Sequence, residues 1–138
     1  MLILDTCALI WLINRTPIAP TALVDIERAA GEAALLVSTA SAWEIGLLSR
    51  RAGRPGALHF TPDPKTWFTR ALTAPGLTLA ALTPEIVIDA SHLPGDLHSD
   101  PADRLIIATA RHLGATIVTR DQKILDYAQA GFVEALAC

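Results

Sequence analysis

The chain has 138 residues and a net charge of −3, and 51% of its residues are apolar. This length predicts one domain, residues 1–138, with a sizeable core. No apolar run is long enough for a membrane span, and the acidic Asp5 follows the start too closely for a signal peptide. Two cysteines exclude a disulfide scaffold, and the acidic balance excludes a generally basic nucleic-acid-binding surface. We therefore expect a soluble cytoplasmic domain.

Short apolar runs alternate with longer helical stretches along the chain. The apolar runs predict strands at Leu2–Leu4, Leu35–Val37, Leu77–Leu82, Thr116–Val118 and Phe132–Leu136. Capping and periodicity signals predict seven helices: Thr6 to Asn14, from a cap at Thr21 to near Gly31, Ser41 to Arg51, from Asp63-Pro64 to about Ala74, from Thr83-Pro84 to about Ser91, from Asp100-Pro101 to Leu113, and Gln122 to Gln129. Alternating strands and helices predict an α/β fold, with a parallel sheet covered on both faces.

Four acidic residues fall at strand ends or helix starts of this scaffold. Asp5 ends the first strand, and Asp121 lies two residues beyond the fourth. Glu44 is predicted in the first turn of the helix after the second strand, and Asp103 in the first turn of the helix before the fourth. If the first, second and fourth strands are neighbours, these carboxylates converge on one edge of the sheet, where α/β folds gather their functional groups.

Converging carboxylates repel one another, which raises some pKa values until protons or a metal ion neutralise them. Mg²⁺ or Mn²⁺ suits such an all-oxygen site, and either ion can activate water and stabilise a phosphoryl oxygen. Setting the four acids aside changes the net charge from −3 to +1, and nine of the eleven basic residues are arginine. Arginine beside an acidic metal site suits a phosphodiester backbone. The candidate backbone contacts are Arg50, Arg51, Arg54, Arg104 and Arg120.

Two of the acids differ in how well a structural role explains them. Ser41 and Glu44 have the spacing of a capping box, in which Glu44 would only bond the Ser41 amide. Asp5 is the hardest to explain in this way, because the residues around it do not resemble a cap sequence. The sequence leaves both interpretations of Glu44 open.

Other polar residues also have possible local roles. Asp100 is better explained as a helix cap than as a ligand, and Asp121 can cap the helix that follows it. Asp103 also suits the positive end of its helix dipole. Thr6 and Thr119 can satisfy backbone groups, or can position an acid.

Cys7, His98 and two tryptophans have weaker signals. Cys7 has no identifiable base nearby and is a poor candidate nucleophile. His98 precedes Asp100 in a polar loop and is best interpreted as a surface residue, with substrate contact as the alternative. Trp11 and Trp43 follow apolar helical spacing, which indicates core or interface positions.

Four segments together resemble the motifs of PIN domains, and of VapC-type toxins among them. In chain order these segments are Leu2–Trp11, Val37–Ile45, Asp100–Ala110 and Ile117–Asp121. The resemblance implies a three-layer α/β/α sandwich with a parallel sheet of about five strands. It also implies that Asp5, Glu44 and Asp103 hold Mg²⁺ or Mn²⁺ directly or through water.

The resemblance further assigns supporting roles and partners. Asp121 matches a fourth, more variable acid, Thr119 matches a small hydroxyl residue, and Asp100 ranks below the other acids. The implied activity is a divalent-metal-dependent endoribonuclease that cuts structured RNA such as tRNA or rRNA. The implied partners are a second copy in a homodimer and a small antitoxin, whose Arg or Lys would compensate the acids in a hetero-oligomer.

Three other functions compete with this one. A haloacid dehalogenase-type phosphatase needs Asp-x-Asp after the first strand, whereas this chain has Asp5-Thr6-Cys7. A phosphoacceptor receiver domain needs paired acids near the first strand and a strand-end lysine, for which Lys123 is a poor fit. A catalytically inert PIN-like module that binds a partner protein or RNA is the non-enzymatic alternative, and the intact acids argue against it.

Overall fold

The strands and helices alternate in the computed structural model, which describes residues 1–138. The five strands are β1 (Leu2–Leu4), β2 (Leu35–Ser38), β3 (Leu77–Ala80), β4 (Thr116–Thr119) and β5 (Glu134–Ala137). The seven helices are α1 (Thr6–Ile13), α2 (Pro20–Gly31), α3 (Thr39–Ser49), α4 (Pro64–Ala71), α5 (Pro84–Ser91), α6 (Pro101–Leu113) and α7 (Gln122–Gln129). None of the helices combines the length and apolar character needed to cross a membrane.

Local capping signals placed most helix starts correctly. The side chains of Asp63, Thr83 and Asp100 cap α4, α5 and α6, each followed by proline at the first helical position. Gly114 ends α6 in the left-handed conformation at φ 64°, which glycine adopts without steric strain. The prediction for α2 was wrong by two residues, because the cap position is Ala19 instead of Thr21 and the helix begins at Pro20 without a side-chain cap.

The start of α3 corrects the capping-box interpretation. Ser38 caps this helix by accepting a hydrogen bond from the Ala40 amide at 3.1 Å, so β2 runs directly into α3. Ser41 is therefore inside the helix rather than at its cap, and its side chain is completely buried. Glu44 accordingly lies in the second turn of α3, not the first, and is too far from the cap to stabilise it.

The sheet is entirely parallel, in the order β3-β2-β1-β4-β5, which confirms the α/β sandwich. β1 lies between β2 and β4, as convergence of the acids requires. Leu4 at the end of β1 is level with Val37 and Val118 on its neighbours, and the Asp5 amide donates to the Val118 carbonyl at 3.1 Å. The residues that follow these three strands therefore emerge at the same edge.

Alternate residues of the central strand face two separate cores, as the pleat of a strand requires. Leu4 packs with side chains of α1, α2 and α4, whereas Ile3 packs with side chains of α6 and α7. Both residues are completely buried. The two layers of helices fix the carboxyl edge of the sheet as a rigid platform between them.

Candidate active site

The helices that follow the two central strands leave the sheet on opposite faces. α1 follows β1 and packs on the Leu4 face, whereas α7 follows β4 and packs on the Ile3 face. Divergence of the chain after adjacent parallel strands opens a crevice at their carboxyl ends. Asp5 lies on one side of this crevice and Asp121 on the other, and both line a cavity of about 340 Å³.

This cavity brings all four predicted acids together. Its lining consists of Asp5, Thr6, Cys7, Trp11, Glu44, Asp100, Asp103, Arg120 and Asp121. Asp100 is thus a fifth carboxylate, and only one basic side chain is present. A larger cavity of about 550 Å³ lies beside α7 and includes none of these acids. We refer to the smaller one as the acidic cavity.

Asp5 is the most buried of the five acids, with 6% of its surface exposed. Contrary to the sequence interpretation, it caps α1: its Oδ1 accepts a hydrogen bond from the Ala8 amide at 2.6 Å. Burial raises its pKa and nearby Asp121 adds to this, while hydrogen bonds from the Thr119 side chain and the Ala8 amide oppose it. Asp5 is therefore both a cap and a member of the acidic cluster.

Thr119 connects the two sides of the crevice. Its completely buried hydroxyl donates to Asp5 Oδ2 and accepts a hydrogen bond from the Asp121 amide at 2.9 Å. A hydroxyl that already accepts from an amide has its own proton available for a carboxylate. Thr119 therefore orients Asp5 and fixes the start of α7 relative to it.

Glu44 reaches the cavity from α3. Burial raises its pKa most, and the carboxylates of Asp100 and Asp5 raise it further, while a hydrogen bond with the Thr6 side chain lowers it. The Thr6 hydroxyl is also within 3.0 Å of the buried Ser41 hydroxyl. The pair of Thr6 and Ser41 joins α1 to α3 directly below the cavity, so the positions of Asp5 and Glu44 are coupled.

Asp103 has the most perturbed carboxyl of the site. Its pKa is raised to about 7 by burial, and then by the four other acids, Asp100, Glu44, Asp121 and Asp5. Because all four acids raise the pKa of Asp103, the five carboxylates share one electrostatic environment. Near neutral pH this carboxyl is poised between its protonated and ionised forms, a property common at functional sites.

Asp100 and Asp121 each have two roles. Asp100 caps α6 through the Ala102 amide at 2.9 Å, and Asp121 caps α7 through the Lys123 amide at 2.8 Å. Both nevertheless line the acidic cavity. Capping and membership of the cluster are compatible because the positive end of each helix dipole, α6 and α7, points at the cavity.

Cys7 also lines the cavity, which the sequence did not indicate. Its thiol pKa is raised to about 12, first by burial and then by Asp5, Glu44, Asp103 and Asp121. At this pKa the thiol stays protonated at neutral pH. The structure therefore argues against Cys7 as a nucleophile.

Arg120 is the only cation of the cavity, and it pairs with none of the acids. Its guanidinium lies 4.0 Å above the Trp11 ring, Nε donates to the Cys138 carbonyl at 2.7 Å, and Nη2 donates to the Pro17 carbonyl at 2.5 Å. No salt bridge joins Arg120 to a carboxylate. Its charge is therefore held at the cavity without being neutralised. Trp11, predicted as core or interface, supports this arginine.

The other predicted arginines are not equivalent. Arg104 donates Nε to the Ala90 carbonyl at 2.8 Å and also bonds carbonyls of the preceding loop, so it braces that loop instead of facing the cavity. Arg50, Arg51 and Arg54 are exposed, and only Arg51 lies beside the site, in a shallow groove that includes Glu44.

The donors of the acidic cavity fit a hard divalent cation. Carboxylate oxygens are the ligands that Mg²⁺ and Mn²⁺ prefer, and a cation would relieve the repulsion acting on Asp103. No three of the acidic, histidine or cysteine side chains are close enough to surround one ion as they stand. Mg²⁺ commonly binds through one or two carboxylates and keeps several waters, so this spacing suits it better than a closed protein cage.

Two contributors to the site were missed from the sequence. Ser41 was assigned to a cap, although the Ser38-Thr39 pair before it already signals an earlier helix start. His98 was interpreted as a surface residue, but its Nε2 lies 3.3 Å from Asp103 Oδ2. Nothing in the sequence around His98 indicates this contact, because it depends on how the loop folds back on α6.

Comparison with known proteins gives a consistent family and fold. The family model described as PIN domain matches residues 2–130. No curated protein matches the sequence closely enough to count as a relative.

Solved structures with a similar fold include VapBC2 from Rickettsia felis, bound to a DNA fragment from its promoter. The TM-score is 0.69 at 15% identity, covering 98% of this chain and 96% of that one. FitAcB from Neisseria gonorrhoeae gives a TM-score of 0.64 at 18% identity, covering 99% and 96%. A toxin–antitoxin complex from Klebsiella pneumoniae gives 0.62 at 16% identity, with the same coverage. At these identities the likeness establishes the fold.

Proposed function

The chain belongs to the PIN domain family, and we propose that it is a divalent-metal-dependent endoribonuclease that acts as the toxin of a toxin–antitoxin pair. PIN domains are generally nucleases. The observation that carries the proposal is the set of five carboxylates around one cavity, including Asp103 with its pKa raised to about 7. Such a cluster is costly to keep in a fold without a cation or cationic ligand to neutralise it.

Asp5, Glu44 and Asp103 would hold Mg²⁺ or Mn²⁺, with Asp121 beside them. The bound ion would supply Lewis-acid stabilisation of the phosphoryl group and lower the pKa of water. Thr119 and the Ala8 amide hold both oxygens of Asp5 and favour its ionised form. With a pKa of about 7, Asp103 would carry a proton when the cavity holds no cation and would release it when a cation binds.

Arg120 would contact the phosphate at the cleavage site. Its guanidinium is fixed by Trp11 and two carbonyls, so little side-chain entropy remains to be lost on binding. The exposed Arg51, next to Glu44, would continue the path of the RNA backbone, with Arg50 and Arg54 further along it. Structured RNA, either tRNA or rRNA, is the proposed substrate class.

A small antitoxin and a second copy of the chain are the proposed partners. The similar structure from Klebsiella pneumoniae is described as a toxin–antitoxin complex, which favours an antitoxin here. Next to the acidic cavity, Trp43 and Leu47 are 50% and 40% exposed and offer an apolar contact surface. An antitoxin arginine or lysine entering the cavity would neutralise the acids when no cation is bound.

The test is cleavage of total RNA with Mg²⁺, with Mn²⁺ and with EDTA, comparing the wild type with Asp5→Asn. Asparagine caps a helix as well as aspartate does, so this change removes the charge and keeps α1 intact. We expect at least about a 100-fold loss of cleavage, the scale of effects on metal ligands and their close partners.

Asp63→Asn is the matched control, because Asp63 also caps a helix but is fully exposed and lies outside the cavity. It should cleave like the wild type. Full activity of a folded Asp5→Asn protein, or full activity in EDTA, would contradict the proposal. An inert binding module is the remaining alternative, and it predicts no heat of binding in calorimetry at millimolar Mg²⁺ and Mn²⁺.

A further inference from the structure

His98 lies outside the lining of the acidic cavity but is in contact with one of its acids. Its side chain is 18% exposed, and Nε2, which is itself buried, lies 3.3 Å from Asp103 Oδ2. The approach is off-line, so Nε2 makes no hydrogen bond although it is close to a carboxylate. A buried polar atom without a partner is rare in folded proteins and calls for an explanation.

The other ring nitrogen defines where the proton is. His98 Nδ1 accepts a hydrogen bond from the Asp100 amide at 3.2 Å. A nitrogen that accepts from an amide cannot carry a proton in the neutral ring, so the hydrogen-bond network assigns the proton to Nε2. Nε2–H is therefore a donor that lies close to Asp103 Oδ2 without being aligned with it.

The loop that carries His98 is held firmly against α6. Arg104 donates Nε to the Ala90 carbonyl, and Nη1 to the Leu97 and His98 carbonyls at 3.4 and 3.3 Å. Arg104 follows Asp103 directly, so the same helical turn carries the acid and the brace of the loop. Arg104 thus holds the His98 backbone and the Asp100 amide holds the ring at Nδ1, and a small rotation of the Asp103 carboxylate is the movement that would complete the missing bond at Nε2.

We propose that His98 is a positioning residue whose Nε2–H bonds Asp103 when the acidic cavity accepts a divalent cation, and thereby fixes the orientation in which that carboxylate binds. The inference rests on the proposed function. Its physical basis is that a neutral donor behind a ligating carboxylate restricts its rotamers without adding charge, which improves affinity for the ion. Arg104 contributes by holding the loop; it forms no salt bridge with Asp103 and is not part of the cavity lining.

The first experiment follows the imidazole itself by NMR of protein labelled with ¹⁵N-histidine. In metal-free protein we expect the ¹⁵N pattern of the tautomer that carries its proton on Nε2. Adding Mg²⁺ should shift the Nε2–H resonance downfield, as its hydrogen bond forms, while the resonances of His112, which lies at the far end of α6, stay in place. A purely structural histidine would give no such response. An Nδ1-protonated ring, or an unchanged Nε2 signal in protein that binds Mg²⁺, overturns the inference.

The second experiment measures Mn²⁺ affinity by calorimetry in three variants. His98→Asn keeps an acceptor for the Asp100 amide but is too short to reach Asp103, and we expect about ten- to hundred-fold weaker binding. His98→Gln places an amide N–H near the position of Nε2 and should recover part of that loss. His112→Asn is the control and should bind like the wild type.

These outcomes separate the inference from the function on which it rests. Equal Mn²⁺ binding by His98→Asn and by the wild type overturns the role of His98 alone. A wild type that binds neither Mg²⁺ nor Mn²⁺ overturns the proposed function, and this inference with it. Thermal unfolding of each variant shows whether a loss of affinity reflects loss of the fold.

Discussion

The acidic cavity and the exposed start of α4 use the same local device with opposite electrostatic results. Asp5 and Asp63 both cap a helix through a backbone amide, and a threonine hydroxyl, Thr119 or Thr66, donates to the second oxygen of each. The pKa of Asp63 is lowered by its hydrogen bonds with Thr66, whereas burial raises the pKa of Asp5 despite equivalent bonds. Equivalent hydrogen bonds thus dominate the pKa at the exposed site, whereas burial outweighs them at the buried one.

The difference shows that capping and function do not exclude each other. Asp5, Asp100 and Asp121 each stabilise a helix start, and all three lie in the cavity because three helix starts meet at one sheet edge. A cap at the exposed start of α4 has no other acid around it and remains an ordinary stabilising residue. Neighbours and burial, more than local sequence, distinguish the two regions.

The largest expected effect compares thiol reactivity in the two regions. In the Cys138→Ser variant, Cys7 is the single thiol and its reactivity reports on the cavity. In the Cys7→Ser, Cys138→Ser, Lys65→Cys variant, the single thiol lies at the exposed start of α4 and gives the reference rate. Because the Cys7 pKa is about 12, its alkylation by iodoacetamide at pH 8 should be at least about 100-fold slower, since only the thiolate reacts. Equal rates would mean that neither burial nor the acids of the cavity raise the pKa of the Cys7 thiol. Saturating Mg²⁺ should accelerate the reaction of Cys7 alone.

The next effect is a pH-dependent gain of stability from Asp103→Asn. The folded-state pKa of about 7 lies above the ordinary 3.8, so the native state holds its proton more tightly and loses stability as the pH rises from 4 to 7. At pH 8 without divalent ions, removing this carboxylate should stabilise the fold by about 2–4 kcal/mol, because one pKa unit corresponds to ~1.4 kcal/mol. At pH 4 the difference should vanish.

Denaturant unfolding at the two pH values measures this directly. The wild type should also regain stability at pH 8 when Mg²⁺ is added, and Asp103→Asn should regain less. If Asp103→Asn is less stable than the wild type at pH 8, favourable interactions of the ionised Asp103 carboxylate outweigh its burial and its repulsion from the other acids.

The third prediction compares the two threonines. Thr119→Val leaves Asp5 Oδ2 and the buried Asp121 amide without their partner, and should destabilise the protein by about 2 kcal/mol. Thr66→Val removes the equivalent hydroxyl at α4, where water can replace it, and the change should be too small to resolve. Urea unfolding midpoints check both. Similar losses in the two variants would show that burial does not separate these regions.

Much of the fold was predictable because its signals are local. Proline after a capping residue marks the starts of α4, α5 and α6, and Gly114 marks the end of α6, since backbone conformation there depends on the adjacent residues. Strand limits were less accurate: β3 ends at Ala80 instead of Leu82, and β5 begins at Glu134 instead of Phe132. Strand ends depend on pairing with neighbours, which the sequence does not contain.

The candidate site was predictable in part because its acids follow strand ends or lie near helix starts. Asp5, Glu44, Asp103 and Asp121 could be selected because a strand order with β1 between β2 and β4 would bring them together, and the sheet has that order. Their catalytic and metal-binding roles stay predictions. The contact of His98 with Asp103 and the support of Arg120 by Trp11 were not foreseeable, since each joins residues whose proximity depends on loop paths.

The sequence by itself determined the alternation of strands and helices, the helix caps and the identity of the acids, because turn chemistry and apolar periodicity act over a few residues. Tertiary structure alone decided which caps became members of a buried cluster. Desolvation and repulsion depend on distance through space, so Asp103 acquires its raised pKa only when α3, α6 and the ends of β1 and β4 meet.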